Sequence, residues 1–404
     1  MRNRRRIFLL VVLCCPVLPG CSCSSKPANV FTDYTDEAGI LEIAPSRATP
    51  RILDVVLIHG LGGDRIKTWQ ATNDGLTFWP KWLADDFGDC GVYSIDYAAS
   101  PIAAGKSMSI QDRAINLLNR LHLRKLGTQR PMIVITHSLG GLIVKEILHR
   151  GLTETIPEDI ATARSIQGIL FLSTPHAGSD LAAFGLRLGK VVDHYTWINV
   201  PSELIDELKA NDVHLRTVNT WYVNNQWNKI DNRVLFEKYD TSLGWRAKVR
   251  VVDESSSNPG IPGLRLTPMD ADHITICKPP QRGHEIYLSI KEFVENGRKK
   301  ILQRAAALKT QNPVAGLAMP GQWNLKINVP LNRAGLESLK VQVSPDDQFT
   351  LVWAEEIITA SDGSVFTFGM AARPSPGGFI RLVGTWPGGY EGHGEAVPFT
   401  VVGI

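Results

Sequence analysis

The chain has 404 residues, of which 44% are apolar and 21% charged, the texture of a globular protein with room for one large domain and a smaller one. Its net charge of +3 comes largely from Arg2, Arg4, Arg5 and Arg6 at the start. The rest is therefore close to neutral, and a basic stripe of the kind that binds nucleic acid is not visible.

The basic start reads as an export signal over residues 1–20. Arg4-Arg5-Arg6 precede the apolar run Ile7 to Leu13, which is too short to span a bilayer comfortably, so cleavage is favoured over a retained helix. Leu18-Pro19-Gly20-Cys21 resembles a bacterial lipobox, in which Cys21 would carry the lipid and anchor the chain to the membrane surface at the cell envelope; plain secretion is the alternative. Arg5-Arg6-Ile7-Phe8-Leu9 also fits a twin-arginine pattern. Four of the six cysteines lie in or beside this leader, and neither Cys90 nor Cys277 has metal-type neighbours at ligand spacing. A polar tether follows to residue 48.

From residue 49 to 306 short β-type runs alternate with helical stretches, which predicts a mostly parallel sheet with helices on both faces. The runs fall near 53–59, 91–97, 131–137, 166–173 and 249–252. The first ends in His59-Gly60-Leu61-Gly62-Gly63. Glycines at the C-terminal end of a strand buried on both faces imply a backbone turning tightly beside something. They have neither the spacing nor the Lys of a nucleotide loop, and the sequence calls for no cofactor or metal.

The third run leads into Thr136-His137-Ser138-Leu139-Gly140-Gly141, a strand-serine-helix turn of the G-x-S-x-G type with Thr in place of the first Gly. Such an elbow lifts a serine hydroxyl out of the sheet and sets it against a helix N-terminus. With Ser138 as nucleophile, the backbone N–H groups of Leu61 and Leu139 would form the oxyanion hole, and His59 would brace the loop. Chain order then places an acid and a histidine downstream. His273, in Asp270-Ala271-Asp272-His273, has the order and loop setting of the base, and Glu254 or Asp253, at the end of the 249–252 run, those of the acid.

The stretch 185–245 reads as a cap-like insertion rich in aromatics: Tyr195, Trp197, Trp221, Tyr222, Trp227 and Trp245. They suit either the cap's own core or the lining of an acyl pocket. A helix from His284 to about Leu308 closes the domain, with Tyr287, Ile290, Val294, Ile301 and Ala305 along one face. Residues 307–319 read as a linker. From 320 to 404 six β-type runs punctuated by Gly and Pro predict a small all-β, sandwich-like domain, a binding or docking module whose partner is unknown.

Four blocks together, HGLGGDRIKTWQ (59–70), THSLGGLIVKEIL (136–148), FLSTPHAGSDLA (171–182) and DADHITICKP (270–279), resemble the serine-active-site-containing hydrolases, a group similar to GPI inositol-deacylases and to the mitochondrial phosphatidylglycerol-remodelling protein. The resemblance covers roughly residues 50–295. It implies an α/β-hydrolase fold, Ser138 as nucleophile, His273 as base, Glu254 in Glu254-Ser255-Ser256 as the acid, and a lipid or other ester as substrate. The function this supports is a serine esterase or lipase working through an acyl-serine. The competing reading is a catalytically silent envelope protein that keeps the fold as a scaffold.

Overall fold

The structure, a computed structural model, describes residues 39–44, 51–97, 109–176, 181–196, 212–225, 229–244 and 247–307. Beyond 307 it describes the strands 311–319, 322–328, 338–344, 354–357, 366–370, 378–386, 390–393 and 397–402. The export signal, the lipobox Cys21, most of the tether, and Trp197, Trp227 and Trp245 lie outside the described residues.

The strands of the first sheet are β1 (Ile40–Ala44), β2 (Leu53–Ile58), β3 (Cys90–Ile95), β4 (Met132–His137), β5 (Ile166–Leu172), β6 (Asp231–Glu237) and β9 (Leu266–Met269), with the two-stranded ribbon β7 (Thr241–Ser242) and β8 (Lys248–Val249) beside them. Their order is β1-β3-β2-β4-β5-β6-β9. β1 pairs antiparallel with β3, and every other pairing in this sheet is parallel. The helices are α1 (Trp79–Asp86), α2 (Ile110–Leu123), α3 (Leu139–Thr153), α4 (Pro157–Ser165), α5 (Leu181–Thr196), α6 (Asp212–Asn225) and α7 (Glu285–Ala307).

Parallel strands must be covered on both faces, and the residues of β2, β4 and β5 are accordingly all buried. Successive side chains point to opposite faces. Val56, Ile58, Val134, Ile169 and Phe171 join one core with Leu142, Ile143 and Ile147 of α3 and Leu117, Leu118 and Leu121 of α2. Ile133, one residue out of phase, packs at Gly297 of α7, and Trp82 of α1 meets Tyr287 of α7 edge to face at 5.1 Å. With the strained serine turn between β4 and α3 described below, this is the α/β-hydrolase fold.

Two expectations fail here. The sheet strand read at 249–252 is not one: Lys248–Val249 belong to the ribbon, and the sheet position is taken by β6, inside the stretch read as a cap insertion. Of the two readings of its aromatics, Trp221 and Tyr222 on α6 fit the core. Tyr222 is buried in the core with its hydroxyl 2.5 Å from Asn232 Oδ1, and Trp221 packs edge to face on His149 of α3 at 5.0 Å, so α6 is part of the domain's helical layer.

The C-terminal strands are β10 (Gln311–Met319), β11 (Gln322–Asn328), β12 (Ser338–Ser344), β13 (Ala354–Ile357), β14 (Phe366–Met370), β15 (Gly378–Trp386), β16 (Tyr390–His393) and β17 (Val397–Val402). They run β13-β12-β15-β17-β10-β11-β14, with β16 on β15, antiparallel except for β10 with β17. Register matches burial: Val341 faces Leu382 and Val343 faces Ile380, all fully buried. The expected linker is thus shorter, because residues 311–319 form a strand of this second sheet.

Among the described residues no strand pairs from one sheet to the other. A chain ended after Ala307 is therefore expected to keep a closed first sheet, to melt in one cooperative transition, and to bind or turn over any small ligand of that part as the full chain does. Aggregation of the shortened chain, or a broad non-cooperative melt, would show that the two sheets share a core.

Candidate active site

Three strand ends meet above the sheet. Ser138 follows β4 with φ 53° and ψ −123°, a left-handed backbone that only a tight elbow imposes on a side-chain-bearing residue. Surrounding hydrogen bonds hold it there. The Ser138 N–H donates to the Leu172 carbonyl at 2.9 Å, and its carbonyl accepts from Gly141 at 3.1 Å.

The departure from the G-x-S-x-G pattern has a local explanation. The Thr136 hydroxyl turns to the neighbouring strand and donates to the Leu170 carbonyl at 3.3 Å, so it does not crowd the helix. Close approach falls instead on Gly140, where a Cβ would lie 2.5 Å from the Ile58 carbonyl oxygen and 2.8 Å from that of His59. Gly140→Ala is expected to cost about 1–3 kcal/mol as backbone is pushed aside, read as a lowered denaturant midpoint. A variant with wild-type stability would mean that the elbow tolerates a side chain there.

His273 follows β9 and is fully buried. Its Nε2 lies 3.0 Å from Ser138 Oγ and its Nδ1 lies 2.6 Å from Glu237 Oε2. Glu237, also fully buried, is the last residue of β6. Its other oxygen accepts from the N–H groups of Val251 and Val252, both at 2.9 Å, and its own N–H donates to Ser173 Oγ at 3.1 Å.

The carboxylate on His273 is therefore Glu237, a correction to the reading of Glu254 or Asp253. Glu254 is exposed, and its described contact is a backbone carbonyl that accepts from Ser257 Oγ at 2.9 Å. Asp253 caps a turn through Ser256 N–H at 2.8 Å and lies 3.8 Å from Arg187. The criterion that pointed to these two, a carboxylate at the end of a β-run, selects Glu237 equally well in Val234-Leu235-Phe236-Glu237.

Two further supports carried no sequence signal of their own. His137 Nε2 lies 2.9 Å from the His273 carbonyl. Burial, then the neighbouring His273, holds the His137 pKa well below the usual histidine value, so the ring is neutral and donates this bond from Nε2. The His273 N–H donates to Thr241 Oγ1 at 3.2 Å, which fixes the same residue from the ribbon side.

The loop expected to supply one oxyanion amide runs against the elbow, since a Cβ at Gly60 would sit 2.8 Å from Ser138 Cβ. Leu61 follows directly, and Leu139 opens α3 on the other side of the serine. His59 is buried with its ring stacked on Tyr97 at 4.5 Å and its Nε2 3.3 Å from Asp96 Oδ1. Its Nδ1 lies 2.9 Å from the Gly60 carbonyl, a contact that braces this loop. Burial raises the thiols of Cys90 and Cys277 to about 12, so neither is a thiolate at neutral pH.

Residues on this chain align with the protein SERAC1 of Homo sapiens at 29% identity over 296 residues, 68% of this chain and 43% of that protein. The Mus musculus protein gives 30% over 287 residues, 66% of this chain and 42% of that one. The chain is homologous to the SERAC1 proteins. The match spans less than half of those proteins' own length. No protein-family model matches the chain. Solved structures similar to it include a phospholipase PlaB from Legionella pneumophila, 14% identical over 86% of this chain and 92% of that one with a TM-score of 0.38. A monoacylglycerol lipase from Paleococcus ferrophilus is 17% identical over 63% of this chain and 96% of that one with a TM-score of 0.37. The fold assignment rests on the strand order and the elbow rather than on these overlaps.

Proposed function

We propose that the chain is a serine esterase or lipase. The observation that carries this reading is one unbroken line of hydrogen bonds, Ser138 Oγ to His273 Nε2 at 3.0 Å and His273 Nδ1 to Glu237 Oε2 at 2.6 Å, at a serine held in a strained turn. In this reading Ser138 Oγ attacks the ester carbonyl carbon while His273 takes its proton. The C–O bond to the leaving alcohol breaks as His273 returns that proton to the departing oxygen. Water, activated by the same imidazole, then attacks the acyl-serine, and the acid and Ser138 are released. Glu237 keeps the proton of His273 on Nδ1, so that Nε2 faces the serine, and stabilises the imidazolium. The amides of Leu61 and Leu139 take the oxyanion.

The four sequence blocks support an ester of a lipid as the substrate. The test is labelling with a fluorophosphonate probe followed by hydrolysis of nitrophenyl esters across a series of acyl lengths. Attachment of the label to Ser138, with turnover that grows with acyl length, supports a lipase. Label with turnover only on short acyl chains supports an esterase for small substrates. A folded protein that takes no label and turns over no ester leaves the fold as a scaffold.

A further inference from the structure

Helix α3, which starts at the serine, is buried on nearly every side and yet two of its ionisable residues, Lys145 and Glu146, are each only 1% exposed. Glu146 has an evident partner, His214 Nε2 at 2.8 Å. Among the described residues no carboxylate pairs with Lys145. Its Nζ lies 2.7 Å from His176 Nδ1 and donates to Asn219 Oδ1, and it sits 5.0 Å from the Tyr222 ring and 5.5 Å from that of Phe171. One point thus joins α3, the segment after β5, and α6.

The same two partners hold a fourth segment. The His176 N–H donates to the Ser256 carbonyl at 2.7 Å, and Asn219 Nδ2 donates to the Pro259 carbonyl at 3.1 Å. Both acceptors belong to the loop 251–259, whose first two amides bind Glu237 Oε1 at 2.9 Å each. The His176 segment begins at Ser173, whose hydroxyl accepts from the Glu237 N–H. The amides that hold the Glu237 carboxylate and the hydroxyl that holds its backbone N–H therefore both lead back to this junction, two turns of α3 and roughly 10 Å from Ser138.

We propose that Lys145 is a positioning residue for the Ser138, His273 and Glu237 constellation: by bridging His176 and Asn219 it docks the 251–259 loop, whose amides fix the Glu237 carboxylate against His273. This rests on the esterase reading above. A buried donor that serves two acceptors at once cannot be replaced by an apolar side chain without leaving both unpaired, and the loop they hold is then free to shift.

The test is Lys145→Met in the full chain, assayed on a short-chain nitrophenyl ester. It is expected to lower kcat about 10- to 100-fold with KM unchanged, the effect of a carboxylate displaced by a fraction of an ångström to one ångström. In a Glu237→Gln background the same substitution is expected to change kcat less than about twofold, since the group through which it acts is already lost. A readout free of turnover is the low-field proton resonance of His273 Nδ1–H, expected to shift or broaden in Lys145→Met. Asn219→Leu, which removes the same dock from α6, is expected to do likewise and serves if Lys145→Met does not fold. Unchanged kcat and resonance, a rise in KM alone, or a full multiplicative loss on top of Glu237→Gln would each overturn the proposal. If the wild type neither turns over esters nor takes the label while the resonance still responds to Lys145→Met, the esterase reading falls and the clamp stands.

Discussion

Ser138→Ala is expected to lower ester hydrolysis by on the order of 10⁴- to 10⁶-fold, and His273→Ala to do the same. The two losses should not multiply. Oγ is a nucleophile only while Nε2 at 3.0 Å takes its proton, so each substitution removes the same step and the double variant should be no slower than either single one. What remains is the oxyanion hole and substrate binding. Both variants should stay folded. Ser138→Ala deletes one oxygen and leaves the elbow's backbone bonds to Leu172 and Gly141 in place. A folded Ser138→Ala variant that kept near wild-type turnover would remove the nucleophile assignment outright.

Glu237→Gln is expected to cost about 10³- to 10⁴-fold in kcat, whereas Glu254→Gln and Asp253→Asn should stay within about twofold of wild type. The amide is nearly isosteric, but it offers His273 Nδ1 either a neutral oxygen or an N–H donor. With the donor facing it, Nδ1 becomes the acceptor and the proton moves to Nε2, the tautomer that cannot accept from serine. The Val251 and Val252 amides bind Oε1, so an oxygen is strongly preferred at that position and the NH₂ is driven toward His273. The wrong tautomer is therefore built in by the surroundings. Parallel assays of the three variants decide the matter: a large loss in Glu254→Gln with little in Glu237→Gln would return the role to the exposed residue and contradict the geometry.

The pattern of what could be read from the residues follows from burial. β2, β4 and β5 are apolar throughout because both their faces are covered, and such runs announce themselves. Ser138 and His273 were legible because the elbow constrains neighbours on both sides of the serine and chain order constrains the histidine. β6 was hidden by its polar start, Asp231-Asn232-Arg233, at the half-buried end of the strand, and by the tryptophans around it. The run Val249-Arg250-Val251-Val252 imitated a strand for a physical reason. Val251 and Val252 are buried, as in a sheet, but their N–H groups turn to the Glu237 carboxylate instead of a ladder. The segment read as bearing the acid is the one that cradles the carboxylate in contact with His273. The strand 311–319 was missed because Pro313, Gly316 and the small residues between them have a linker's composition.

Folding favours the neutral form of Lys145. In the unfolded chain its amine is an ammonium up to the ordinary lysine value near 10.4. Burial holds the folded value well below that. The unfolded state thus binds the extra proton between the two values, and stability climbs as pH rises through that window, by up to about 1.4 kcal/mol per pH unit, levelling above the ordinary value. His176, lowered first by burial and then by Lys145, adds the same sign only below 6.5, and Tyr222, raised by burial, titrates above the ordinary tyrosine range. Denaturant midpoints from pH 7 to 10 should therefore rise more steeply in the wild type than in Lys145→Met, and parallel curves would show that the buried lysine keeps its charge. The pH dependence is separate from the hydrogen bonds that Lys145 makes to His176 and Asn219, which Lys145→Met also removes.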